Sequence, residues 1–151
     1  MDENKKSSFS QLKENLFLSL YAWTKIPLIG FCGPRVIEAS SKRTVLKVPL
    51  NFRTKNHLGA MYFGALAIGS ELCIAMLAVK QIQASGLKID FLFKDYKAEF
   101  LKRAEGDVHF ICEEAQVVID QIAEAKTSAP VERATARSIT FSSSEIFPGH
   151  S

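Results

Sequence analysis

The chain has 151 residues and is 47% hydrophobic, which is enough for one domain with a proper core and too little for two of ordinary size. Its net charge is +3, and the basic residues are interleaved with acids along the chain, so composition argues against nucleic-acid binding and supports only a modest pull on anionic ligands. Cys32, Cys73 and Cys112 are odd in number and widely spaced, with no Cys-x-x-Cys pair and no His cluster at metal-ligand spacing. This argues for a reducing, cytoplasmic setting, for thiols that act as small buried hydrophobes, and against a metal site. The polar start Met1-Asp2-Glu3-Asn4-Lys5-Lys6 makes a poor signal peptide.

A first helix is expected over about residues 10–25, capped by Ser10, with Leu12, Leu16, Leu20 and Trp23 recurring every three to four residues as a wide apolar face. Pro27, Gly30, Gly33 and Pro34 then break the chain into a loop whose Leu28, Ile29 and Phe31 suit either core packing or a lid. Two strands follow, Val36–Ala39 and Thr44–Val48, around the polar turn Ser40–Arg43, and Pro49 marks an end or an edge. The loop Asn51–Lys55 delivers the chain to a long apolar stretch, placing Arg53 and Lys55 beside Asn56 and His57, either as a solvated loop or as a phosphate site.

That stretch, Asn56–Val79, organises the chain. Between Lys55 and Lys80 it holds one formally charged residue, Glu71. Its length, its lack of Pro and its apolar residues on every side predict a single long helix buried all round. A membrane span is the competing reading, weakened by three glycines, a serine and a central carboxylate. Ionised carboxylates are rarely buried without a partner, so Glu71 is either a functional group or a core residue that bridges buried backbone groups.

Gly86 closes the helix and Leu87 opens a long strand in which Ile89, Phe91 and Phe93 share one face while Tyr96, Ala98 and Phe100 take the other parity. The switch predicts a bulge or bend at Lys94-Asp95. Lys94, Lys97, Lys102 and Arg103 make this strand and its expected hairpin basic, which suits a phosphorylated cofactor tail or, more commonly, discourages edge pairing. A turn at 104–107 leads to a return strand through Val108, Phe110 and Cys112, a short helix over 113–126, a last strand over 131–141 and a loose tail over 142–151. The sum is an α+β chain of about five antiparallel strands, curled around one long helix, with a second copy or layer hiding what the sheet leaves uncovered.

This order of elements, with the glycine-bearing entrance to the central helix, resembles the hotdog-fold thioesterase superfamily, specifically the phenylacetyl-coenzyme-A type, and still more a thioesterase-like branch without a settled substrate. The resemblance covers about residues 35–141, with the N-terminal helix as an addition. The family's helix entrance reads Asn-x-x-Gly-x-x-His-Gly-Gly, with an acid two turns later. Asn56 and Gly59 fall on the Asn and first Gly, Tyr62 on the His, Phe63 and Gly64 on the last two glycines, and Glu71 on the acid. The departures are Tyr62 in place of the His and Phe63 in place of a Gly, the second putting bulk where the family keeps the backbone bare. The resemblance implies an acyl-thioester hydrolase, dimeric or a dimer of dimers, that acts on coenzyme A or acyl-carrier thioesters without metal or added cofactor. N–H groups near Phe63 and Gly64 would hold the oxyanion, Glu71 would be base or nucleophile, Asn56 would orient water or carbonyl, and Tyr62 would stand in for the His. Arg53, Lys55, Lys94 and Lys97 are the cations placed to meet the carrier's phosphates. Two alternatives remain: a dehydratase or hydratase using His57 with Glu71, and a non-catalytic acyl-thioester or fatty-acyl binding domain, suggested by Phe63.

Overall fold

The computed structural model describes residues 3–93, 95–127, 134–136 and 141–142. Helix α1 (Glu3–Lys25) leads through α2 (Pro27–Cys32) into strands β1 (Arg35–Ala39) and β2 (Thr44–Val48). The central helix α3 (Phe63–Ser85) follows, then β3 (Phe91–Phe93), β4 (Ala98–Glu99), β5 (Val108–Cys112), α4 (Ala115–Thr127), β6 (Ala134–Ala136) and β7 (Phe141–Ser142).

The main sheet is antiparallel in the order β1-β2-β5, with Val45 opposite Ile111 and Leu46 opposite Phe110. Ser40 closes the β1–β2 hairpin: its backbone N–H and its Oγ both donate to the Arg43 carbonyl, and Oγ accepts from the Arg43 N–H. On β5 the alternation is strict, with Val108, Phe110 and Cys112 buried and facing the core. Helix α3 packs on β2 and β5. A methyl group at Gly69 would lie 2.3 Å from a Phe110 ring carbon, so the helix reaches the sheet there because Gly69 has no side chain. One turn on, the Cys73 sulfur sits 3.4 Å from the Thr44 carbonyl and 3.3 Å from that of Phe110, pinning α3 across β2 and β5. Of the described helices, α3 alone is long and apolar enough to cross a membrane, and here it is the core helix, with Leu72, Cys73, Ile74 and Leu77 buried against the sheet and its neighbours.

Several expectations change. The segment after α1 is a short helix with Pro27 at its start and a left-handed Gly33 at its end, because Pro fits the first helical turn and the Gly30 carbonyl accepts the Gly33 N–H. Helix α1 begins at Glu3, so Ser10 lies within it and not at its start. The expected stripe Leu12, Leu16, Leu20 and Trp23 faces outward at 55–70% exposure, while Leu18 and Ala22 are buried. Asn15 explains the choice: its Oδ1 accepts the Val36 N–H at 2.8 Å and its Nδ2 donates to the Val36 carbonyl at 3.0 Å, with Gln11 donating to Ile37, so polar side chains of α1 seal the open edge of β1.

The long strand after Gly86 is two short ones, β3 and β4, broken where the apolar parity switches; Lys94 itself lies outside the described residues. Among the described residues no hairpin forms with β5, which pairs with β2, whereas β3 runs parallel to β6 and β4 parallel to β7. The last expected strand is represented by β6 and β7, and residues 131–133, 137–140 and 143–151 lie outside the described residues.

Replacing Gly69 with Ala forces a methyl into a buried aromatic ring, and chemical denaturation should show a loss of about 1–3 kcal/mol. A second prediction concerns Asp107, which accepts from Lys47 Nζ at 2.8 Å and from the Leu50 N–H at 2.9 Å. Those bonds, the lysine first, hold its carboxyl below the usual range. A depressed folded-state value stabilises the protein above the unfolded value near ~4 and ceases to do so as pH falls through the folded one. Asp107→Asn should therefore cost about 1 kcal/mol at neutral pH, and wild type and variant melting curves should converge on acidification below about pH 4.

Candidate active site at the start of the central helix

The entrance to α3 is a tightly tied turn. Buried Thr54 donates its hydroxyl to the Pro49 carbonyl at 2.6 Å and accepts from the Asn51 N–H at 3.0 Å. Asn56 Oδ1 accepts from the N–H groups of Leu58 at 2.9 Å and Ala60 at 3.2 Å, and its own N–H donates to the Ala60 carbonyl at 2.7 Å. Gly59, at φ +79°, supplies the left-handed residue this turn needs. The chain is then anchored by Met61 N–H to the Ala104 carbonyl at 2.8 Å and Tyr62 N–H to the Thr54 carbonyl at 2.7 Å. The helix therefore starts at Phe63, seven residues after Asn56.

Tyr62 caps α3 in an extended conformation without a side-chain hydrogen bond, and its carbonyl accepts from Ala65 and Leu66. Among the described residues, the N–H groups of Phe63 and Gly64 have no acceptor. They are the donors expected at a helix start, at the positive end of its dipole. The Tyr62 ring lies over Gly64, where an added methyl would come within 2.5 Å of it. Phe63 meets Tyr62 and Phe100 edge-on, each at 6.0 Å between ring centres, so an aromatic trio borders the donors.

Glu71 lies on the exposed side of α3 in the single chain, a correction to the expectation of a helix buried all round: Tyr62, Phe63, Glu71 and Val79 are all exposed. It has neither hydrogen bond nor ion pair among the described residues. Beside it, buried Ser70 shares a 2.8 Å hydrogen bond with the Tyr96 hydroxyl and donates to the Ala67 carbonyl. Sequence reasoning missed both partners; the signal was a serine next to the lone carboxylate and a tyrosine at the parity switch.

The remaining candidates are placed as follows. Asn56 uses its side-chain oxygen on the turn backbone, so its visible role is structural. His57 is exposed in that turn and forms no hydrogen bond with Glu71. Arg53 is half-buried, its guanidinium carbon 5.9 Å from the ring centres of both Phe31 and Phe52, and its Nε is buried without a partner among the described residues. Lys55 and Lys97 are exposed, and Lys94 lies outside the described residues. No three His, Cys, Asp or Glu side chains gather as metal ligands among the described residues. All three cysteines are buried and free, and burial pushes each thiol up, partly offset at Cys32 by Arg53.

The family model for the domain of unknown function DUF4442 matches residues 14–142. The chain belongs to that family. No curated protein matches its sequence. Among solved structures, a protein of unknown function from Chlorobaculum tepidum superposes with a TM-score of 0.65 at 12% identity, over 78% of this chain and 73% of its own. A thioesterase candidate from Shewanella oneidensis gives 0.59 at 17% identity, over 66% and 69%. A protein of unknown function from Pseudomonas aeruginosa, described as a probable thioesterase, gives 0.57 at 22% identity, over 74% of each chain. This DUF4442 member thus has the hotdog fold of the thioesterase-like proteins.

Native protein at pH 8 should release almost no colour with a thiol-specific disulfide reagent, and three equivalents after unfolding, since every thiol is buried. Rapid labelling of any cysteine in the folded chain would bring a nucleophilic cysteine back into consideration.

Proposed function

We propose that this DUF4442 protein hydrolyses acyl thioesters, in a homodimer or dimer of dimers, in a reducing compartment such as the cytoplasm. The observation that carries the reading is the pair of N–H groups at Phe63 and Gly64, unpartnered among the described residues, on a helix whose one carboxylate, Glu71, stands on the same side two turns later. Seven residues advance about 10 Å along a helix, too far for Glu71 and the N–H groups of one chain to act on one carbonyl. A second copy, with its α3 antiparallel against the exposed side of the first, would bring the carboxylate of one subunit to the helix start of the other.

The N–H pair would hold the thioester oxygen as it gains charge, each such donor being worth about 3–4 kcal/mol in the transition state. Glu71 would take a proton from water while the water oxygen bonds to the carbonyl carbon. Collapse of the tetrahedral intermediate would break the carbon–sulfur bond and return that proton to the leaving thiolate. Attack by the carboxylate itself, giving a mixed anhydride that water then opens, uses the same placement. Ala67 and Ala75 are the small residues on this face that would leave room for an acyl chain, with Tyr62 and Phe63 as its apolar border. Lys55 and Lys97 would meet the phosphates of coenzyme A or an acyl carrier, and the reaction as drawn uses no metal or added cofactor.

A second reading has its own observation. The Tyr62 ring against Gly64 narrows the approach to the N–H pair, which favours an acyl-thioester binding domain without turnover. The dehydratase reading has no comparable support, because His57 is not joined to Glu71.

Free-thiol release from short, medium, long and aromatic acyl-coenzyme-A thioesters tests this. Wild type should turn over at least one class, and Glu71→Gln should fall by about 100-fold or more with folding and assembly intact. Binding without turnover by wild type would select the binding domain.

A further inference from the structure

Helix α1 is turned outside in. Its polar Asn15 and Gln11 bond to β1, and of its side chains from Gln11 onward only Leu18 and Ala22 are buried, while Leu12, Leu16, Leu20 and Trp23 stand 55–70% exposed on one side. Helix α2 extends this surface: Trp23 lies against Gly30, where a methyl would come within 2.9 Å of its ring, and Leu28 and Phe31 are exposed beyond it. Arg53 continues it into the next loop, bridging Phe31 to Phe52, which is 79% exposed. Contiguous apolar surface on this scale marks an interaction site.

Charge decides the partner. From Asn15 to Ile37 the sequence has no acidic residue, and the cations Lys25, Arg35 and Arg53 fringe the surface. A two-fold contact with a second copy would set that cationic fringe against itself. An anionic lipid surface complements it, and aromatic and leucine side chains flanked by Lys and Arg are what an interfacial helix sinks into the headgroup boundary.

We propose that the α1–α2 face, with Phe52 and Arg53, docks this protein on anionic membranes, α1 lying in the plane of the interface. The docking does not depend on the thioesterase reading. Trp23 enters the bilayer boundary and Arg53 meets lipid phosphate.

Flotation with vesicles of zwitterionic lipid, alone or with 30 mol% (about a third) anionic lipid, tests it with the full chain. Since Trp23 is the one tryptophan of the sequence, its emission reports directly on this face. The full chain should float with the anionic vesicles, more weakly as salt rises, with Trp23 emission shifted to the blue and quenched by brominated acyl chains. Leu16→Glu with Leu20→Glu should lower partitioning at least tenfold. Both positions are exposed, so the fold should persist by circular dichroism; if it does not, Phe52→Ser and Arg53→Gln, which should each weaken binding several-fold, carry the test. Absence of flotation with anionic vesicles overturns the proposal, as does flotation untouched by these substitutions. A lipid-free oligomer that the leucine substitutions dissociate, with its own blue shift on concentration, would assign the face to a second copy and overturn it too.

Discussion

The close approach of Gly69 to Phe110 fixes how the central helix lies on the sheet, and most of the rest follows from that rotation. A helix turns about 100° per residue, so Glu71 stands about 200° round from Gly69 and Gly64 stands beside Glu71. Pinning Gly69 against β5, with the Cys73 sulfur between two carbonyls one turn on, obliges Glu71 to face away from the sheet. Leu66, Leu72 and Leu77 fall on the sheet side or its flanks, within about 80° of Gly69, where the hydrophobic effect wants them. The lone carboxylate is thus kept out of the core by the same contact that builds the core. It therefore needs no buried partner in the single chain.

The central helix was legible because its signals are local: an unbroken apolar run, and Gly86, which ends it in the left-handed conformation at φ 69°. Its start was less so. Asn56–Met61 is apolar enough to read as helix, but Asn56 hydrogen-bonds its own downstream backbone and Gly59 takes a positive φ, a competition that local polar side chains often win. Helix α1 shows the opposite failure. Periodicity found a true apolar stripe at Leu12, Leu16, Leu20 and Trp23, but periodicity does not say which side faces inward. The unpaired edge of β1 decided it, because its backbone groups needed Asn15 and Gln11 more than the core needed leucines. The pairing of β5 with β2 was hidden for a related reason: the basic run before it suggested a hairpin, whereas the alternation of Val108, Phe110 and Cys112 matches a strand packed under α3, a partner distant in sequence.

At the candidate site, residue identities could be read but their neighbours could not. Tyr62 and Phe63 looked like obstructions from their bulk alone. Phe63 proves to meet Tyr62 and Phe100 edge-on, and among the described residues the backbone donors of Phe63 and Gly64 are left without acceptors at the helix start. The Ser70–Tyr96 bond needed tertiary structure to appear at all, since it spans α3 and the break between β3 and β4.

Lys80 relates the two outward faces of the molecule. Its ammonium donates to Glu14 of α1 at 2.8 Å and to the Ala39 carbonyl of β1 at 2.9 Å, locking α1 and the sheet edge to the central helix. Lys80 comes nine residues after Glu71, which at about 100° each places it about 180° round the helix axis. The side of α3 that holds α1 is therefore opposite the side that carries Glu71. A subunit closing over Glu71 does not need the surface of α1, and a membrane under α1 does not reach the carboxylate. One partner can occupy each face without displacing the other, which is why the leucines of α1 call for an occupant of their own.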